Sequence, residues 1–176
     1  STICLGAFDG FHKGHQALKA QAEYLVTFYP HPKSVIKNTS FQLLSTPSEQ
    51  AYLNKKRIII PFTKSLSKLS AFDFLNKIIK PNLNPKRIVI GYDFKFGANQ
   101  SGNFQTLQSW GKENQCEIIE IPPQLSNDGT PYKSSKVKHE LLHNFDHAIE
   151  LLGHPYLMIG KVIHGDDGDG NEVQKN

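Results

Sequence analysis

The chain has 176 residues, of which 38% are hydrophobic and 20% are charged. This length and balance predict one globular domain with some additional chain, large enough to bury a sizeable core. No apolar run approaches the roughly 18 residues of a transmembrane helix, and no signal-peptide pattern occurs, so we expect no membrane partner.

The formal net charge of +4 suits either nucleic acid or small ligands that carry several phosphates. The lysines are scattered apart from one cluster at 55–57, and the aromatic-basic motif of an RNA-binding sheet is absent. We therefore expect small anionic substrates and no nucleic acid. Cys4 and Cys116 lie in apolar runs, which predicts buried thiols in a reducing, cytoplasmic setting.

The most informative stretch is residues 6–15, which read Gly-Ala-Phe-Asp-Gly-Phe-His-Lys-Gly-His. The apolar run 3–5 precedes it and the helix-compatible run 16–22 follows it, so the order predicts buried strand, tight turn and helix start. In an open α/β sheet, ligands bind beyond the carboxyl end of a strand, where a helix N-terminus offers free N–H groups to phosphate. Gly6 allows the backbone to approach such a ligand closely.

His12 and His15 are three residues apart at the predicted helix start, which places both imidazoles on one face. They therefore predict a phosphate site. The alternatives are a metal-binding pair or two surface histidines. Support for a zinc site is weak, because no further Cys, His or acid lies nearby to complete a set of ligands.

The remaining pattern predicts an α/β fold with a mainly parallel, Rossmann-like, doubly wound sheet. Continuous β-branched runs indicate strands that are covered on both faces. The predicted strands are 3–5, 24–28, 57–62, 86–91 and 116–121. The predicted helices are 13–21, 43–56, 70–79, 104–112, 139–143 and 146–153.

Two loops after strands predict a second ligand surface. Residues 27–32 read Thr-Phe-Tyr-Pro-His-Pro, and the prolines around the histidine favour a rigid loop that closes over a ligand, with a simple stop signal as the alternative. Residues 91–97 read Gly-Tyr-Asp-Phe-Lys-Phe-Gly. Exposed phenylalanines here would stack on a planar ring such as a flavin, or else fold back onto the core.

A third stretch combines Ser134 and Ser135 with three lysines between 133 and 138 at a predicted helix start. The serines would cap the helix and offer hydroxyls to phosphate. Lysines near the positive end of a helix dipole are unfavourable without an anion, which predicts an anion there.

These stretches together resemble the FMN adenylyltransferase (FAD synthetase) module of bacterial bifunctional riboflavin kinase/FMN adenylyltransferases, in the nucleotidyltransferase superfamily. The resemblance implies transfer of AMP from ATP to FMN, with Mg²⁺ accompanying ATP. The catalytic residues that it implies are His12 and His15. The ATP-binding residues that it implies are Gly6, Ala7, Phe8, His12, His15, Ser134, Ser135 and Lys138. The flavin-binding residues that it implies are Pro30, His31, Asp93 and Phe96. Arginines usual in the family are replaced by Lys95 and Lys138.

The resemblance divides the chain into an adenylyltransferase domain, 1–145, and a linker with the incomplete start of a riboflavin kinase-like β-barrel, 146–176. Residues 155–165 would form the opening strand of that barrel, and the full-length protein would also phosphorylate riboflavin. Two alternatives stay open: another nucleotidyltransferase of the same fold, acting on pantetheine phosphate or a nicotinate nucleotide, and a non-catalytic module that binds flavin or nucleic acid.

Overall fold

The computed structural model describes residues 1–38 and 42–162. Within them, five parallel strands form one sheet in the order β3-β2-β1-β4-β5. The strands are β1 Thr2–Leu5, β2 Tyr24–Tyr29, β3 Arg57–Pro61, β4 Arg87–Gly91 and β5 Glu117–Ile121. The predicted Rossmann-like parallel sheet is confirmed.

Helices connect the strands. They are α1 Lys13–Ala20, α2 Pro32–Lys37, α3 Pro47–Leu53, α4 Ala71–Phe74, α5 Lys80–Leu83, α6 Phe104–Asn114, α7 Ser134–His143 and α8 Phe145–Leu152. A π-helical segment, Leu75–Ile79, joins α4 to α5. Ser70 caps this unit by accepting from the Asp73 N–H, as its sequence predicts.

The central strand β1 pairs with β2 on one side and β4 on the other. The chain moves outward in one direction through β2 and β3 and in the other through β4 and β5. The order therefore reverses between β1 and β4, and open α/β sheets bind ligands at the carboxyl ends of strands at such a point. The 6–15 turn lies there.

Two apolar layers cover the sheet. On one face, Ile3, Leu5 and Ile88 pack with side chains of α4, the π-helical segment and α6, including the buried Trp110. On the other face, Cys4 and its neighbours pack against Phe8, Phe11 and Leu18 of the turn and α1. Alternate residues of β1 thus point to opposite layers, as expected for a strand that is buried on both faces.

A third apolar cluster joins α7 and α8 to the loop before α3 through Leu44, Val137, Leu151 and Leu152. α8 ends at Gly153, whose φ of 72° is a left-handed cap, as predicted. Residues 155–162 belong to no helix or strand, and 163–176 lie outside the described residues. The predicted barrel strand 155–165 therefore stays a prediction.

Several elements differ from expectation: the sequence pattern did not predict α2, and α7 begins at Ser134 rather than at residue 139. The predicted helix 43–56 is shorter: α3 begins after Thr46, which forms a capping box with Glu49, and ends before Asn54. β3 lies at the edge of the sheet. It is not fully covered on both faces, because Ile59 is 40% exposed. No helix in the described part of the chain is both long and apolar enough to cross a membrane.

Candidate active site

The turn after β1 is a tightly held backbone loop. Gly10 has a φ of 78°, and Phe8 and Phe11 also adopt left-handed backbone angles of 51° and 45°. Such angles in bulky residues persist only where the surrounding structure imposes them, and they concentrate at functional sites. The hydroxyl of Thr27 on β2 donates to the Ala7 carbonyl at 3.0 Å, which fixes the turn to the neighbouring strand.

His12 and His15 lie face to face at the start of α1. Their ring centroids are 3.7 Å apart with an interplanar angle of 18°, and the edge of Phe8 meets the His15 ring at 5.3 Å. The prediction that both imidazoles share one face is confirmed. The Nδ1 atoms of both rings are buried without a hydrogen-bond partner among the described residues. Buried polar atoms of this kind indicate a ligand site or a functional role.

Both imidazoles are neutral at pH 7. Burial lowers the pKa of His12 from 6.5 to about 4. Burial, followed by repulsion from His12, lowers the pKa of His15 well below its ordinary value. Each ring therefore carries one N–H, and the pair can donate hydrogen bonds without bringing two positive charges together.

Asp9 connects the turn to two other segments, a role that the sequence did not reveal. Its buried carboxylate accepts from the backbone N–H of Leu44 at 2.7 Å and of Ser45 at 3.3 Å. The other oxygen lies 2.9 Å from the Lys138 ammonium. Its backbone carbonyl accepts from the Ser134 hydroxyl at 2.8 Å. The sequence shows only an acidic residue within a Gly-rich turn, and this pattern does not indicate which residues bind its carboxylate.

The segment 133–138, which carries the serines and lysines, therefore lies against the turn. α7 begins at Ser134, but the residue that caps it is Lys133, and no side chain provides the cap bond. The prediction that Ser134 caps the helix is wrong because its hydroxyl bonds to the turn instead. Ser135 is exposed beside it.

The lysines of α7 pair with carboxylates of the protein, so the predicted bound anion stays a prediction. Lys136 pairs with Asp128 of the preceding turn, and Lys138 pairs with Asp9. The first of these pairs also includes the hydroxyls of Ser126 and Thr130. Lys138 is thus held within reach of the turn.

The predicted proline loop lies at the carboxyl end of β2. The Tyr29–Pro30 peptide bond is cis, Pro30 is exposed, and the His31 ring accepts from the Lys33 N–H at the start of α2. Burial lowers the pKa of His31 to about 4, while nearby Asp9 acts in the opposite direction. His31 therefore belongs to the same electrostatic neighbourhood as the turn.

The second loop for which the sequence predicts flavin binding follows β4. Asp93 is exposed, as a ligand-facing residue should be. Phe96, by contrast, is 8% exposed and packs on Phe74 and Phe94. At Phe96 the structure agrees with the second alternative, a ring folded back onto the core, because burial there stabilises the side chain more than solvent does. The Phe96 ring therefore attaches the 91–97 loop to the core.

The residues around the turn offer no ready-made metal cage. No group of three or more His, Cys, Asp or Glu side chains converges within residues 1–38 and 42–162. A magnesium ion that arrives with a nucleotide needs few protein ligands, because phosphate oxygens and water supply most of its coordination. The site fits such an ion only as part of the nucleotide.

A switch-point turn with paired histidines, joined to a helix start that carries serines and lysines, defines an α/β fold of the nucleotidyltransferase type. The sequence matches the FAD synthetase family over residues 1–136. The chain belongs to this family.

The chain is also similar to curated proteins whose names include FMN adenylyltransferase. The chain is 33% identical over 182 aligned positions to a bifunctional riboflavin kinase/FMN adenylyltransferase from Buchnera aphidicola subsp. Schizaphis graminum, covering 94% of this chain and 58% of the relative. The relative of the same name from Escherichia coli K12 is 29% identical, with the same coverage. The chain thus spans little more than half the length of these relatives.

A solved structure supports the fold. A crystal structure described as a macrolide-efflux protein from Streptococcus pneumoniae superposes with a TM-score of 0.77 at 27% identity. The match covers 89% of this chain and 56% of that one. We use this likeness for the fold alone.

Proposed function

We propose that this chain transfers AMP from ATP to FMN, giving FAD and pyrophosphate. The observation that carries the proposal is the stacked His12–His15 pair in a Gly-rich turn at the switch point of the sheet. Family membership and the names of the curated relatives point to the same reaction.

In this reaction a phosphate oxygen of FMN attacks the α-phosphorus of ATP in line. The new P–O bond forms as the bond between the α-phosphorus and the bridging oxygen breaks, and that oxygen leaves with pyrophosphate. Because FMN itself is the nucleophile, no protein nucleophile is needed. The protein contributes positioning and stabilisation of the charge that develops on the phosphates.

His12 and His15 are assigned to the reacting phosphates. As neutral imidazoles, each can donate one hydrogen bond toward the oxygens of the α-phosphate and the α–β bridge. Such donors help most where negative charge develops, and a low-dielectric crevice strengthens them. The backbone of Gly6, Ala7 and Phe8 would lie against the rest of the nucleotide.

Ser134, Ser135 and Lys138 are assigned to the departing β- and γ-phosphates. Their helix begins beside the turn, and its free N–H groups favour an anion. In the absence of a nucleotide, Asp9 pairs with Lys138. Lys138 can then interact with the triphosphate while it remains anchored near the turn.

The flavin side is assigned to Pro30, His31 and Asp93, with Phe96 holding the loop from the core. These residues follow β2 and β4, on either side of β1. FMN bound there would place its phosphate toward the turn. Mg²⁺ would accompany ATP and balance its charge, held mainly by phosphate and water.

We further propose the domain division at 145/146, with 146–176 as linker and start of a riboflavin kinase-like barrel. The names of the curated relatives support a second, kinase activity in a longer protein. α8 packs on α7 through Leu151 and Leu152, so the first part of this range is attached to the adenylyltransferase domain.

Incubation of the protein with Mg²⁺–ATP and one acceptor at a time tests the reaction. We expect FMN to give FAD and pyrophosphate in equal amounts by chromatography, and pantetheine phosphate and nicotinate mononucleotide to give no adenylylated product. Adenylylation of either other acceptor with FMN inert would identify another nucleotidyltransferase. Binding of FMN without turnover would identify a non-catalytic flavin module.

A further inference from the structure

A second pair of stacked histidines lies on α7, away from the turn. His139 and His143 are one helical turn apart, and their ring centroids are 4.1 Å apart with an interplanar angle of 15°. Both residues are exposed, and the His139 side chain is 64% exposed. The proposed function uses neither residue.

Hydrogen bonds fix the tautomer of both rings. The Nδ1 of His143 lies 2.7 Å from the His139 carbonyl oxygen, which can only accept, so this Nδ1 carries the proton. The Nδ1 of His139 lies 3.2 Å from Glu140 Oε1, and a carboxylate likewise only accepts. In both neutral rings the lone pair is therefore on Nε2.

This arrangement matches the way proteins prepare histidines for metals. A ligating histidine usually donates its other N–H to a carboxylate or a backbone carbonyl, which fixes the ring and raises the basicity of the ligating nitrogen. Two histidines four residues apart on one helix face are a recurrent zinc-binding spacing. Both rings must rotate out of the stacked arrangement to bring their Nε2 atoms to about 2.0–2.1 Å from one ion.

We infer that His139 and His143 bind one zinc-like divalent transition metal through their Nε2 atoms, with water in the remaining coordination positions. Glu140 acts as a positioning residue, because it holds the His139 ring and also lies 3.1 Å from His147 Nδ1. Imidazole ligands select zinc, copper or nickel over magnesium and calcium, which prefer oxygen.

The site is a binding site and not a hydrolytic centre. The His-Glu-x-x-His spacing of residues 139–143 also occurs in zinc proteases, where a third ligand completes the site and the glutamate acts as a base. No third ligand converges here within residues 1–38 and 42–162. Glu140 is also engaged by two histidines rather than directed at a metal-bound water.

Zinc titration of the 176-residue protein by calorimetry, repeated with Cu²⁺ and Mg²⁺, tests the inference. We expect one site that binds Cu²⁺ more tightly than Zn²⁺ and does not bind Mg²⁺. His139→Gln and His143→Gln should each weaken zinc binding at least about tenfold, since each removes one of two ligands. Glu140→Gln should weaken it about tenfold through loss of orientation.

His147→Gln is the matched control, because it removes a neighbouring histidine that is not a ligand, and zinc affinity should change less than about threefold. Circular dichroism of each variant reports whether α7 is retained. Zinc affinity that is unchanged in either His139→Gln or His143→Gln would overturn the inference. Equal loss in His147→Gln would overturn the two-ligand site in favour of a larger one.

Discussion

At the scale of single residues, the candidate site depends on neutral imidazoles beside the partly buried ion pair of Asp9 and Lys138. Burial lowers the pKa values of His12, His15 and His31. In the proposed function, the positive charge that a triphosphate needs would come from Lys138 and from the N-terminal ends of α1 and α7, which would leave the histidines as hydrogen-bond donors.

The lowered pKa of His12 makes protein stability depend on pH. Unfolding returns the group to its ordinary value of 6.5, whereas the folded protein binds the proton only near pH 4. The free energy of unfolding contributed by the neutral ring is complete above about pH 6.5 and decreases as the pH falls toward 4, by up to about 1.4 kcal/mol per pH unit.

We expect urea denaturation between about pH 7 and pH 5 to show a smaller pH dependence for His12→Gln than for the wild type. The window lies above the ordinary range of the carboxylates, so their titration contributes little. Parallel pH dependences for the two proteins would show that His12 titrates in the folded state as it does in the unfolded chain.

Residue types and spacing were enough to predict the Gly-rich turn after β1, the shared face of the histidines and the proline loop at the end of β2. The role of Asp9 was not predictable, because its partners Leu44 and Lys138 are distant in sequence and meet it only in the folded chain. The same reason explains the error at Ser134, whose hydroxyl bonds across the fold to the turn, and why the sequence left two alternatives open at Phe96, which packs into the core.

At the scale of elements, the turn is packed so closely that it tolerates no side chain at Gly10. A Cβ atom there would lie 2.6 Å from Leu44 Cδ1, whereas one at Gly129 would meet nothing within 4 Å. The two glycines have nearly equal φ angles, 78° and 77°. They form a matched pair that separates backbone strain from steric conflict.

Gly129→Ala should cost only the conformational penalty of a left-handed residue, about 1–2 kcal/mol. Gly10→Ala should cost that amount plus about 1–3 kcal/mol for the displaced Leu44. Chemical denaturation of both variants measures the difference. Equal losses would mean that the turn and the loop before α3 move apart easily.

The contact between α7 and the turn gives the next prediction. Lys138→Ala removes the cation from a buried carboxylate, so we expect a loss of about 1–3 kcal/mol in unfolding free energy, less than for a fully buried pair because Lys138 is 29% exposed. ATP should bind more weakly and FMN almost unchanged. Lys138→Arg should retain both stability and ATP binding.

Lys64→Ala, at an exposed lysine, is the control and should change stability by less than about 0.5 kcal/mol. Separate titrations with ATP and FMN measure the two affinities. An equal loss of affinity for both ligands in Lys138→Ala, or a loss for neither, would contradict the assignment of Lys138 to the departing phosphates.

Element boundaries were predictable where local signals act alone. Apolar runs gave the five strands, and Ser70 and Gly153 gave one helix start and one helix end. The π-helical segment 75–79 was not predictable, because packing of one layer on another determines it. The start of α3 was readable from the sequence, because Thr46 and Glu49 have the local spacing of a capping box. The edge position of β3 depends on strand order, which periodicity alone does not contain.

At the scale of the whole molecule, four stretches that are distant in sequence lie at the carboxyl ends of the central strands. The sheet order places the 6–15 turn at the switch point, the β2 and β4 loops on either side of it, and α7 against it through Asp9. Adenylyl transfer needs this convergence, because the two substrates must be held in line across the α-phosphate.

The rate of FAD formation by His15→Ala tests the central claim most directly. If His15 stabilises charge that develops in the transition state, FMN and ATP should react about 10²–10³ times more slowly, which corresponds to about 2.7–4 kcal/mol. The melting temperature should stay close to that of the wild type. His154→Ala is not a suitable control, because the His154 ring lies 3.1 Å from the Gly10 carbonyl oxygen in the turn. Lys64→Ala, the exposed control, should react at the wild-type rate. A His15→Ala protein that melts normally and forms FAD at the wild-type rate would contradict the assignment of the turn to catalysis.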